Sequence, residues 1–171
     1  MTTFATTFTI LSLALFLGFL LLSFHKFGIL ASYSSYAAKW TEDVPLDPET
    51  HVWSIVTVMV AILLTPAMLE VGDESPLQFL GFFAPAYLIV VAMTPDWETK
   101  IGQRIVHIAG AIICAWAVIL WLVFALNWWF IIPCAFIVFA AIGYLTKTLK
   151  TSYILWAELA MFASVYFTVL I

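Results

Sequence analysis

The sequence predicts an all-α fold, a polytopic helical membrane protein with six transmembrane helices in a single bundle. Three observations predict it. The first is charge scarcity: 9% of the 171 residues are charged, six Lys or Arg and ten Asp or Glu, where a soluble domain carries about 25%. The second is apolar content, 65% of the chain, with a mean hydropathy of +1.12. The third is that the apolar runs are long and unbroken. Barrel strands are short and alternate apolar with polar residues, so an outer-membrane barrel is excluded. The shortage of basic residues excludes a nucleic-acid partner.

A helix needs about 20 apolar residues to cross the hydrocarbon core. Six stretches qualify, at about 3–24, 52–70, 76–95, 103–125, 128–146 and 152–171. The first has nothing basic before it and no small-residue cleavage site after it, so it is expected to be a retained helix and not a signal peptide. The second lies between His51 and Glu70, and the third between Glu74 and Asp96. From Ile105 to Thr146 only His107 interrupts 42 neutral residues, a run that would measure ~63 Å as one helix. That is twice the bilayer core. The run must therefore turn back on itself, and Leu126-Asn127-Trp128-Trp129 is the expected hairpin, with Pro133 tolerated in the first turn of the next helix. The sixth span begins after Lys150. All 171 residues are assigned to one transmembrane domain with a cytoplasmic loop at 25–51.

The bases orient the spans. Lys26, Lys39, Lys100, Arg104, Lys147 and Lys150 all fall in or beside loops 1, 3 and 5. The positive-inside rule then places odd loops in the cytoplasm and both termini outside, in the inner or plasma membrane. A five-span arrangement would put Lys147 and Lys150 on the opposite side. Trp40, Trp53 and Trp97 are expected at the cytoplasmic interface and Trp128 and Trp129 at the outer one.

The long first loop divides in two. Phe27 to Tyr36 is too apolar to float in water and should lie on the interface or dip between helices. Glu42 to Glu49, with Pro45 and Pro48, reads as an ordered turn. Asp47-Pro48-Glu49-Thr50-His51 and Asp96-Trp97-Glu98-Thr99-Lys100 echo each other as D-x-E-T-basic, and each precedes an even span. Capping of helix N-termini is the simpler explanation, and an internal repeat the sharper one.

Two titratable groups fall inside the spans, Glu158 and His107. Intramembrane charges are costly and usually face the bundle interior. Glu158 lies ~10 Å into the last span and His107 at a similar depth in the fourth, with Arg104 one turn earlier on the same face. Were these two spans neighbours, Glu158 would meet His107, Arg104 or both. Gly110-Ala111 and Ala157/Ala160/Ser164 offer small faces for such packing. This trio is the leading candidate for a ligand, proton or ion site; a purely structural clamp uses the same residues, and a third reading is a neutral, protonated Glu158 facing another subunit or a cavity.

Weaker candidates are Ser32, Ser34 and Ser35, which form an unusual polar patch with Tyr33 and Tyr36 but lack a G-x-S-x-G elbow, and the rim residues His51, Asp96 and Glu98. Together with Asp47, Glu49 and His107 the rim residues have the types for a divalent cation, but no metal motif is present and no metal is predicted. Glu70, Asp73 and Glu74 around Gly72 look like a turn. Cys114 and Cys134 are expected at different depths, which disfavours a disulfide. Pro66 and Pro85 inside spans mark either kinks or a cavity wall.

The functional expectation is binding or transport of a small or lipid-like ligand through an inward-facing polar pocket, since few polar residues line the spans. The alternatives are an intramembrane lipid-modifying enzyme and a non-catalytic structural or assembly subunit. No cofactor is predicted. The partners expected are the lipid bilayer, a small or lipid-like ligand and, as an option, a second copy of the chain in a homo-oligomer.

Overall fold

A computed structural model describes residues 1–43 and 51–171. The described residues are all-helical in class, 76% helix without strands, and form a bundle of the membrane type. Four helices are long and apolar enough to cross a bilayer: α1 (Thr3–Phe27), α3 (Val52–Val71), α5 (Ile101–Leu120, continued by the π turn Trp121–Ala125) and α7 (Tyr153–Leu170). Two apolar helices are shorter, α4 (Phe79–Ala92) and α6 (Ile131–Leu145). The remaining helix, α2 (Ser35–Asp43), lies in the long first loop.

Local chemistry explains the ends. Thr2 caps α1 through Oγ1, which accepts the Ala5 N–H at 3.3 Å. At the other end Gly28 takes φ +72° while its N–H bonds Phe24 O at 3.0 Å, a left-handed stop suited to glycine. The hairpin between α5 and α6 turns at Asn127, φ +57°, a conformation asparagine tolerates better than most residues. Trp128 N–H closes this hairpin on Leu122 O at 2.7 Å.

α4 and α6 differ from the expected spans 76–95 and 128–146. Residues 72–78 wind into successive turns, with Ser75 N–H on Gly72 O and Gln78 N–H on Ser75 O, both at 3.0 Å, and α4 starts only at Phe79. At 14 and 15 residues the two helices measure ~21 and ~22 Å. Capping is also simpler than expected. Among the described residues no side chain caps α3, α5 or α7; the Asp96 carboxylate instead holds Lys100 Nζ at 2.6 Å. The turn expected over Glu42–Glu49 does not include its first two residues, since α2 runs to Asp43; its remainder and the Asp47–Thr50 copy of the motif lie outside the described residues.

α1, α3, α4 and α5 pack in chain order, each against the next, while α6 packs on α7 as a separate hairpin whose α7 touches α1, α3 and α5. Gly110 shows why α5 does not pack closely on α7. A β-carbon there would lie 3.2 and 3.3 Å from Val91 and Val90, so its small face is filled by α4. The α6–α7 hairpin has its own close approach at Gly143, where a β-carbon would stand 2.7 Å from Trp156 Nε1. That indole donates to Thr148 Oγ1 at 3.1 Å. Gly143→Val should push the ring away and cost about 1–3 kcal/mol in reversible unfolding. A fully retained stability would mean that the hairpin is not held there.

The stretch from Gly28 to Ser34 dips back into the bundle. Tyr33 and Tyr36 are buried, Tyr36 OH donates to Gly28 O at 2.7 Å, and Leu155 N–H at the start of α7 donates to Ala31 O at 3.0 Å. α2 follows because Tyr36, Ala37 and Trp40 share one face, which packs toward α1 and α3.

Candidate functional site

Glu158 stands in the second turn of α7, and the dipping loop reaches it. The Tyr33 backbone N–H donates to Glu158 Oε2 at 2.6 Å. The Tyr33 ring is buried against α3, its hydroxyl 3.2 Å from Thr57 Oγ1, and burial pushes its phenol above the ordinary range. It therefore stays neutral. The expected meeting of Glu158 with His107 or Arg104 does not occur. α5 is packed on α4, and the 28–36 stretch supplies the partner of Glu158 instead.

His107 is buried beside the end of α4. Thr94 Oγ1 lies 2.7 Å from Val91 O and 3.0 Å from His107 Nδ1. The hydroxyl has one proton, which the carbonyl takes, so Nδ1–H donates to Thr94 and the ring carries its proton there. Trp97 stacks on the imidazole at 4.8 Å with 13° between planes. Arg104 donates from Nε to Trp97 O at 3.2 Å and from its terminal nitrogen to Glu98 O, pinning the 96–99 turn. His107 and Arg104 thus brace one loop rather than the carboxylate.

The other candidates separate. Ser32 Oγ lies 3.1 Å from Ser34 Oγ and 2.9 Å from Ser35 Oγ. Of these three, Ser34 borders the same cavity as Glu158. Asp96 is occupied by Lys100, Glu98 is exposed, and His51 precedes α3, its carbonyl accepting Ile55 N–H at 3.0 Å. Among the described residues no three His, Cys, Asp or Glu side chains converge on a common point. Asp47 and Glu49 of the rim cluster lie outside those residues. Glu70 accepts the Thr2 hydroxyl at 2.7 Å and also the Thr2 N–H, which ties α1 to the end of α3.

A cavity of about 130 Å³ opens between α3, α4 and α5 on one side and α7 on the other. Its walls are apolar, among them Leu64, Met68, Leu88, Val118 and Val165, and Pro85 is one of the wall residues while Pro66 is not. Glu158 borders it and keeps part of its surface open; His107 does not border it. Cys114 also borders it, with Sγ 3.2 Å from Ala84 O.

Trp53 and Cys114 do not stand out from the sequence pattern as site residues, and Tyr33 stands out only as part of the Ser32–Tyr36 patch. Trp53 was expected in the interfacial belt but is 1% exposed and borders the cavity, because the dipping loop covers it. Tyr33 binds Glu158 through its backbone, which no side-chain pattern reports. Cys114 lies on α5 with nothing in the sequence around it to mark a cavity wall. The one available signal was that Phe27 to Tyr36 is too apolar for a free loop.

Scanned against protein-family models, curated proteins and solved structures, the chain matches none.

Proposed function

We propose that the chain is a six-span protein of the inner or plasma membrane that binds or moves a small or lipid-like ligand in the cavity beside Glu158. The observation that carries this reading is a partly open carboxylate at one end of an otherwise apolar cavity within a membrane-type bundle. Such a cavity suits an amphipathic molecule better than a hydrophilic one. In this reading α4 and α6 cross together with the turns that flank them. Tyr33–Glu158, Trp53–His107 and Trp97–His107 contacts bring the loop after α1, the start of α3, the end of α4 and the starts of α5 and α7 to one end of the bundle. The six bases belong to that end, which would face the cytoplasm, with both termini outside.

Native mass spectrometry of the purified protein tests the ligand. A bound small molecule or lipid should accompany the wild type and be lost from Ala115→Trp, which fills the cavity, but not from Ile108→Trp on the outer face of α5. Equal retention by both variants would refute a ligand in this cavity. The topology has a separate check: a reporter fused after Ile171 should be active only outside the cytoplasm.

A second reading, an intramembrane lipid-modifying enzyme, draws on Ser34, whose hydroxyl borders the same cavity as Glu158.

A further inference from the structure

The polar end of the cavity is built from one carboxylate and three aromatic rings. Tyr33, Trp53 and Phe162 border it beside Glu158. The Tyr33 ring centroid lies 5.8 Å from that of Trp53 and 5.8 Å from that of Phe162, with planes at 50° and 62°. Phe16 packs on both Tyr33 and Phe162 and Phe19 on Tyr33, so the three rings belong to a larger aromatic cluster that borders the cavity. Aromatic faces are negative and attract a cation within about 6 Å of the centroid.

The carboxylate points to the same chemistry. Tyr33 N–H occupies Oε2, and among the described residues no Lys, Arg or His stands within ion-pair distance of Glu158. Its other oxygen has no hydrogen-bond donor among them. A carboxylate at this depth without a counter-charge is costly, and a bound cation would offset that cost. A neutral alcohol could bond the open oxygen but would leave the charge unpaired. A carboxylate ligand would be repelled by both the glutamate and the ring faces.

Away from Glu158 the walls are hydrocarbon. Met161 and Val165 continue along α7, Val165 standing ~10 Å beyond Glu158. A volume of about 130 Å³ is close to the ~150 Å³ that holds a benzene ring, so about five or six heavy atoms of a ligand fit inside and a longer chain extends out through the open side. α5 and α7 form opposite walls of the cavity.

Resting on the reading of this cavity as a ligand site, we propose that its ligand is a single-chain lipophilic ammonium. The ammonium would sit between Glu158 and the Tyr33, Trp53 and Phe162 rings, with its N–H on the open carboxylate oxygen and its chain running toward Val165.

Direct binding of radiolabelled n-decylammonium and 1-decanol to the full chain in nanodiscs tests this, with empty nanodiscs as background. Decylammonium should bind saturably, one per chain, and at least about tenfold more tightly than decanol. Decanoate should not compete. Glu158→Gln keeps an acceptor for Tyr33 N–H and should weaken decylammonium by at least about thirtyfold, leaving decanol unchanged. Glu158→Asp should retain the preference for the amine. If decanol binds the wild type as tightly as decylammonium, the cation is refuted and the ligand cavity stands. If neither ligand binds saturably, both are refuted. The comparison on the wild-type protein decides the matter even if a variant fails to fold.

Discussion

Trp121→Ala is expected to destabilise the protein by about 3–5 kcal/mol, the range for emptying a large buried aromatic site. Trp121 is fully buried, at the start of the π turn that ends α5. Its indole edge fills the junction of three elements. A β-carbon at Gly72 would lie 3.0 Å from its Nε1 and one at Gly81 3.1 Å, so both glycines are the floor on which the ring rests. The Nε1 proton makes no hydrogen bond among the described residues. The loss on truncation is therefore packing, which is the main cohesive term between helices inside a bilayer. Trp121→Phe, which keeps most of the ring, should cost clearly less. Equilibrium unfolding in mixed micelles measures both. A Trp121→Ala protein within about 1 kcal/mol of wild type would show that the α3–α4–α5 junction is not held by this ring.

The second large effect is expected at Glu158, and it separates a latch from a ligand site. Glu158→Leu removes the acceptor of the Tyr33 N–H, leaving a buried donor unpaired at a cost of about 1–3 kcal/mol. The loss should be felt along Gly28 to Tyr36, which also holds α7 through the Leu155–Ala31 bond. Glu158→Gln still accepts that hydrogen bond, and its unfolding midpoint should stay close to wild type. Its ligand binding should nevertheless fail. Thermal unfolding of the two variants measures the difference. Equal destabilisation by Leu and Gln would mean that the charge, not the hydrogen bond, holds the loop. A Gln variant that keeps both its stability and its ligand would leave Glu158 as a structural clamp, the role of an assembly subunit.

Much of the bundle is legible in the residues alone. Runs without charge mark the helices because hydropathy and length are properties of a local window. The 42-residue run from Ile105 to Thr146 had to break, and it breaks at Asn127, where the left-handed backbone suits the residue type. Boundaries were harder. The stretch before Phe79, Gly72-Asp73-Glu74-Ser75-Pro76-Leu77-Gln78, is polar, and its turns run on past Pro76, so α4 starts three residues later than the hydropathy alone places it. α2 was missed for a related reason: its helical face shows only once Tyr36 and Trp40 have something to pack against.

The site was half legible. A lone acid in an apolar span is expensive wherever the helix goes, so Glu158 stands out from composition and position. Its partner does not. Tyr33 lies 125 residues away and binds through its backbone. The expected partner, His107, depended on α5 and α7 being neighbours, and the small face at Gly110 is instead filled by Val90 and Val91 of α4. That turns His107 toward Thr94 and Trp97.

The sequence by itself determined a helical membrane bundle, where its long apolar run turns, and that one carboxylate must be accommodated inside. Those follow from transfer energies and chain length, which each segment carries independently. Tertiary structure alone decided which helices touch, that the Gly28–Ser34 stretch enters the bundle, and that a cavity remains between α5 and α7 with Glu158 at its edge. Those depend on how side-chain shapes from distant segments fit together, and no local window contains that information.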